Sequence, residues 1–317
     1  MSRVFSIVIV TVISVLLLGS CDKGDMSSKE ESRVNSVSFL ISNFDVIEDS
    51  ETERTRTSFT ESNSGITYCW SAKDTVGIYP TSGSQVYFAI EGTGGESKAD
   101  FDGGGWAFKS ASKYYSYYPF IGNIYLDRHK IPVSYDGQKQ SGLSSKDHLG
   151  AYDFMYTPAC SSEGGKLSFK YRHLGCIILC RLTLDEGNYT KLAITAPEEV
   201  FVKYGYFDLQ SDSPSVIGKT YTNQLIIDLE NVCITEPSSQ VDVYLMSAPV
   251  NLKDTEITVS VLNDKRQELQ CKKAPSKNYA PQTLYGLLCT PWIEVPQSMG
   301  MIIGDWDKGG DIGGDAE

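Results

Sequence analysis

The sequence predicts an all-β fold built of packed β-sandwiches, and three observations carry that reading. From residue 66 onward, short runs rich in Val, Ile, Tyr, Phe and Thr alternate with clusters of Gly, Ser, Asn, Asp and Pro, the texture of strands joined by turns. Within the runs the apolar residues keep a period of two. In EITVSVL, Ile257, Val259 and Val261 alternate with Thr258 and Ser260, as in a half-buried strand. No stretch offers the amphipathic period of a three-turn helix, so the sheets must bury their faces against other sheets.

The elements follow in chain order. Arg3 precedes an apolar run over residues 4–18, short of the roughly 20 residues a membrane span needs and suited to the core of a signal peptide over residues 1–20. Leu18-Gly19-Ser20-Cys21 resembles a bacterial lipobox. That resemblance implies that Cys21 is acylated with a diacylglyceryl group, heads the mature chain and anchors it to a membrane. Residues 21–35 are polar and read as a flexible tether. Residues 36–44 hold the first strand, with Val37, Phe39 and Ile41 on one face. The stretch that follows is charged and poor in apolar residues, and it carries Arg54 and Arg56, so it is expected to be exposed. Strand runs then recur: VYFAI, KYYSYYPF, LSFKY, KLAIT, YGYFDL, QLIIDL, VDVYLM and EITVSVL. Residues 263–266 supply a turn between EITVSVL and QELQCK, a hairpin. A Pro/Ser/Gly break at residues 158–165 divides the mature chain into an N-terminal domain, 36–160, and a C-terminal domain, 161–317, which ends in a mobile Gly/Asp-rich tail.

Composition excludes some partners. Lys and Arg number 28 against 40 Asp and Glu, a formal charge of −12, and nucleic acid requires a basic face. No second apolar run is long enough to cross a bilayer. Setting Cys21 aside, the cysteines at 69, 160, 176, 180, 233, 271 and 289 are odd in number and irregular in spacing, which is no disulfide framework. Cys176 and Cys180 share a strand face about 13 Å apart at roughly 3.3 Å per residue. They cannot bond each other and read as small core residues, while a cross-strand pair among the others stays open.

Catalytic and metal signatures are weak. His129, His148 and His173 show no ligand spacing, and HExxH, CxxC, GxSxG and P-loop patterns are missing. The glycines at 92–95 and 103–105 read as turns. Asp305, Asp307 and Asp311 suggest a calcium loop, but Gly309 and Ala316 stand where it needs ligands. No enzyme activity, cofactor or metal is therefore expected. Tyr114, Tyr115, Tyr117 and Tyr118 could stack on sugars, which keeps a carbohydrate-binding cell-surface lipoprotein as the alternative. At strand alternation they would instead fill a core and decorate a sheet face.

Five segments, in order, resemble the fimbrillin-like (Mfa-like) proteins of Bacteroides-type bacteria. TRTSFTESNSGITYCWSAKDTVGIYP is similar to that family's opening, an Arg-Thr element leading to Trp and an Asp-x-(Val/Ile)-Gly strand. KYYSYYPF, YDFMYT, LSFKYRHLGCIILCRLTL and MIIGDWDKGG resemble its Tyr-rich strand, Asp-(Leu/Phe)-Met segment, Phe-x-His strand and closing strand. The run Ala280-Pro281-Gln282 and the many cysteines depart from the pattern. The resemblance implies two tandem sandwiches of transthyretin-like topology in a protein displayed at the outer membrane as a pilus subunit or pilus-associated adhesin. Its partners would be other pilus subunits, joined by donor-strand addition, and a host or bacterial surface ligand. It also implies an arginine-specific cut that removes the first strand, for which Arg54 and Arg56 are the candidates. The candidate donor strand lies over residues 299–306, where Met301 and Ile303 alternate with Ile302.

Overall fold

A computed structural model describes residues 36–42, 44–48, 68–72, 74–102 and 111–295. Among them the regular structure is all strand apart from one 3-10 turn at Leu149–Ala151, and no helix is long and apolar enough to cross a membrane. The first ten strands are β1 Ser36–Ile41, β2 Asp45–Glu48, β3 Thr75–Pro80, β4 Val86–Ile90, β5 Lys98–Asp102, β6 Tyr114–Tyr118, β7 Ile131–Ser134, β8 Gln138–Ser141, β9 Met155–Tyr156 and β10 Lys166–His173. After them come β11 Cys176–Leu184, β12 Gly187–Thr195, β13 Phe201–Phe207, β14 Ile217–Thr222, β15 Gln224–Ile234, β16 Ser239–Ser247, β17 Ile257–Asn263, β18 Glu268–Lys273, β19 Thr283–Cys289 and β20 Ile293–Glu294.

Seven strands close into a barrel in the order β1-β10-β9-β6-β3-β4-β5. Its interior is strongly aromatic, with Phe39, Trp70, Phe88, Phe101, Tyr114, Phe169 and Tyr171 among the buried residues. The C-terminal strands form a four-stranded sheet, β16-β11-β19-β2, and a six-stranded sheet, β20-β18-β17-β12-β15-β8. Ile178, Cys180, Leu182, Val243, Leu245 and Leu287 from the first share a core with Leu192, Ile194, Ile227, Val259 and Val261 from the second. The other face of the four-stranded sheet is buried too. Ile177, Leu179, Tyr244, Met246 and Leu284 join Tyr79, Tyr117 and Tyr156 of the barrel wall and Ile131 and Val133 of a three-stranded sheet, β14-β13-β7. A strand covered on both faces needs apolar residues at consecutive positions, which explains the unbroken run Cys-Ile-Ile-Leu-Cys in β11.

Strand pairing crosses residue 160 in both directions. β10 pairs in parallel with β1 inside the barrel, whereas β7 pairs with β13 and β8 with β15. The first strand also differs from the single element read over 36–44. It ends at Ile41. The chain leaves the barrel at Ser42 and forms a second strand, β2, along β19.

Candidate functional site

The segment 36–48 is the candidate functional element, because it contributes one strand to the closed barrel and one to the border of the four-stranded sheet. β1 lies between two strands, parallel to β10 from Ser36↔Lys166 to Ile41↔Tyr171 and antiparallel to β5 at Ser38↔Asp100, Phe39↔Ala99 and Leu40↔Lys98. It is the stave that closes the barrel. Alternation turns Val37, Phe39 and Ile41 inward, all buried, while Leu40 faces out. The Phe39 ring meets Phe101 edge-on at 4.6 Å and stacks on Phe169 at 5.3 Å and Tyr171 at 5.7 Å. With Phe44, also buried, four apolar side chains bury at roughly 1.5–3 kcal/mol each. β2 then runs parallel to β19, Asp45↔Thr283 to Glu48↔Gly286, as the outer strand of the four-stranded sheet. One short segment thus completes two sheets.

A buried pair holds the crossing between them. His173 at the end of β10 and Asp153 before β9 are sealed from water, with side chains 0% and 1% exposed. Nδ1 of His173 lies 2.8 and 2.9 Å from the two oxygens of Asp153, and Nε2 lies 2.6 Å from the main-chain oxygen of Ser42. A carbonyl can only accept, so Nε2 carries the hydrogen, and the carboxylate fixes the ring's orientation from the other side. The Phe44 ring lies on the imidazole with centroids 3.9 Å apart. Ser42 N–H donates to Tyr171 O at 3.2 Å, and Asp45 N–H to Gln282 O at 2.9 Å. The segment is therefore held through its main chain at the crossing and through side chains in the barrel.

Buried tyrosines surround the pair. Burial pushes the Tyr171 phenol well above its usual range, and burial together with the charge of Asp153 does the same to Tyr68. Burial also raises Tyr118, whose hydroxyl donates to Asp74 at 2.9 Å. The three histidines sit apart on different partners: His129 on Asp208, His148 on the Tyr244 carbonyl, His173 on Asp153. The seven described cysteines are all free. Cys176, Cys180, Cys271 and Cys289 are buried, and burial pushes the Cys176 and Cys160 thiols up to about 12. Tyr114 and Tyr117 are buried, one toward the barrel interior and the other toward the outer cluster. Both serve as core residues; alternation predicts one face of this strand on the surface, whereas β6 is covered on both faces. Gly94, in the glycine-rich turn, bridges to Ser71 rather than opening a cradle.

Cys21, Arg54, Arg56, Met301, Ile302 and Ile303 lie outside the described residues. Sequence reasoning found β1 and its inward face. It missed β2, whose Asp-Val-Ile-Glu reads as part of an acidic stretch, and it missed the clasp. The sign of the clasp was the lone His at the end of an alternating strand, since such a ring, once buried, must find partners for both nitrogens.

No protein-family model matches the chain, and no curated protein matches it. Solved structures that resemble it include candidate cell adhesion proteins and fimbrial proteins from Bacteroides, Parabacteroides and Porphyromonas. A candidate cell adhesion protein from Bacteroides uniformis is 13% identical with a TM-score of 0.48, over 71% of this chain and 91% of its own. Another, from Bacteroides ovatus, is 11% identical with a TM-score of 0.48, over 83% and 96%. The tip fimbrial protein Mfa3 from Porphyromonas gingivalis, with a C-terminal truncation, is 9% identical with a TM-score of 0.36, over 69% and 92%. Likenesses this distant leave function to be read from the chain's own geometry.

Proposed function

We propose that this chain is a lipid-anchored, non-enzymatic fimbrillin-like pilus subunit or pilus-associated adhesin that joins other subunits by strand addition at the cell surface. The observation that supports it best is the double role of residues 36–48, which close a barrel and border a second sheet while preceding every other described strand. In sequence they are followed by Arg54 and Arg56. A cut after either would leave the segment held by noncovalent contacts alone. While attached, it occupies its groove at the high effective concentration of an intramolecular ligand. Once it leaves, the edges of β5, β10 and β19 offer main-chain partners and an aromatic trough to an extended strand. Residues 299–306, with Met301 and Ile303 on one face and Ile302 on the other, are the proposed donor. The lipid on Cys21 would hold the precursor at the outer membrane. In this reading barrel and sandwich correspond to the two transthyretin-like units implied by the resemblance, with β10 completing the first and β2 and β8 the second.

Arg54→Ala with Arg56→Ala tests the trigger. The double variant is expected to stay a lipid-bound monomer, and SDS-resistant ladders equal to those of the unaltered chain would refute arginine cleavage as the switch. Lipid-probe labelling that marks Cys21→Ala as strongly as the parent would remove the anchor. The second reading, a carbohydrate-binding surface lipoprotein, draws on Tyr204 and Tyr221, 49% and 46% exposed on the paired strands β13 and β14. Glycan binding lost in Tyr204→Ala with Tyr221→Ala would favour it.

A further inference from the structure

The four-stranded sheet has two outer strands, β2 and β16, and they are finished in different ways. β16 pairs with β11 on one side, with Asp242, Tyr244 and Met246 opposite Arg181, Leu179 and Ile177. In an antiparallel ladder, alternate residues turn their N–H and C=O groups away from the partner strand and leave them open to another chain. At β16 each such group from 242 to 246 is taken by a side chain from residues 138–148. Met246 N–H donates to Gln138 Oε1 at 2.7 Å, and Gln138 Nε2 donates to Met246 O at 2.7 Å. Tyr244 N–H donates to Gln140 Oε1 at 3.0 Å, and Gln140 Nε2 donates to Asp242 O at 2.9 Å. Asp242 N–H donates to Ser144 Oγ at 3.1 Å, and His148 Nε2 donates to Tyr244 O at 2.9 Å.

A glutamine amide carries the same carbonyl and N–H groups as a peptide unit. Gln138 and Gln140 are 1% and 0% exposed, and they alternate with the exposed Lys139 and Ser141. The main chain of β8 meanwhile extends the six-stranded sheet through β15. β8 therefore serves both sheets of the sandwich, one through its backbone and the other through its side chains.

We propose that Gln138, Gln140, Ser144 and His148 form a side-chain seal that closes the β16 edge against a strand from a second copy of this chain. The other border of the four-stranded sheet is β2, and departure of β2 would turn β19 into the one edge that accepts a strand. Addition there and not at β16 gives each subunit one acceptor direction. The directional consequence rests on the strand-addition reading above, while the seal itself rests on edge chemistry alone.

The test uses the full-length, uncleaved chain with Gln138→Leu and Gln140→Leu, which keep bulk and lose the amides. Amide exchange in 239–247 is expected to rise roughly tenfold or more, with concentration-dependent oligomers appearing in light scattering without any N-terminal cut. If the double variant does not fold, Gln138→Leu alone is read in the same way at Met246. Unchanged exchange, or faster exchange in a chain that stays monomeric, overturns the proposal. Oligomers in the variant, together with ladders that ignore the arginine substitutions, would leave the seal standing and remove arginine cleavage as the trigger of assembly.

Discussion

At Gly77 a single hydrogen decides how two strands meet. Gly77 faces Tyr117 across the β3–β6 pairing, and a Cβ there would run into the Tyr117 ring. The ring has no room to retreat. Its hydroxyl donates to Gln85 Oε1 at 2.6 Å and accepts from Ile121 N–H at 3.1 Å. Gly77→Ala should cost about 1–3 kcal/mol as an overpacked core position, read as a lower urea midpoint at unchanged m-value. The glycine was visible in the sequence as part of a motif, but its reason was not, because the ring it accommodates lies forty positions on. His148 carries a pH signature. Burial lowers its imidazole pKa, against the raising effects of the Tyr244 carbonyl and Asp147. A base depressed in the folded state binds protons more readily when unfolded. Its contribution is therefore intact above the ordinary imidazole value of about 6.5 and is lost as pH falls through it. Urea stability should decline as pH falls below about 6.5 toward the lowered folded-state value, and His148→Gln should flatten part of that decline. An unchanged slope in the variant would assign the pH dependence to other groups.

At the scale of elements, legibility followed the locality of the signal. The β17–β18 hairpin was plain, since alternation flanks a turn that Asn263 holds by accepting from the N–H groups of Lys265 at 3.0 Å and Gln267 at 2.8 Å. β1 was plain because Val37, Phe39 and Ile41 all face one core. β2 and β8 were not, because nothing in Asp-Val-Ile-Glu or Gln-Lys-Gln-Ser announces a partner more than eighty residues away. Polar residues at buried positions break the pattern that marks a strand. The clasp was equally hidden, since Asp153, His173 and Ser42 converge only in space. If the clasp holds the N-terminal segment, His173→Phe should raise amide exchange in 36–48 roughly 10- to 100-fold, the worth of a charge-assisted hydrogen bond. Residues 257–263 should stay protected as before. Equal loss in both regions would make the pair a support of the whole fold rather than of the segment.

Over the whole molecule, an all-β chain was legible from texture, but the closure of seven strands into a barrel was not. Closure depends on β1 reaching both β5 and β10, and local pattern does not encode long-range pairing. The exchange of strands across residue 160 escaped for the same reason. The Pro/Ser/Gly break is real in composition, yet β10 beyond it completes the barrel. Among the described residues the strands enclose three buried clusters, and the chain carries a formal charge of −12. The first two described strands are integral to the packing, and in the proposed function one cut after them frees both. The most direct measurement is peptide mapping of SDS-resistant assemblies recovered from the cell surface. The tryptic peptide 34–54, which contains β1 and β2, should be missing from the assembled subunits and present in the uncleaved monomer. Assemblies that retain it in equal proportion would mean that the segment never leaves its groove.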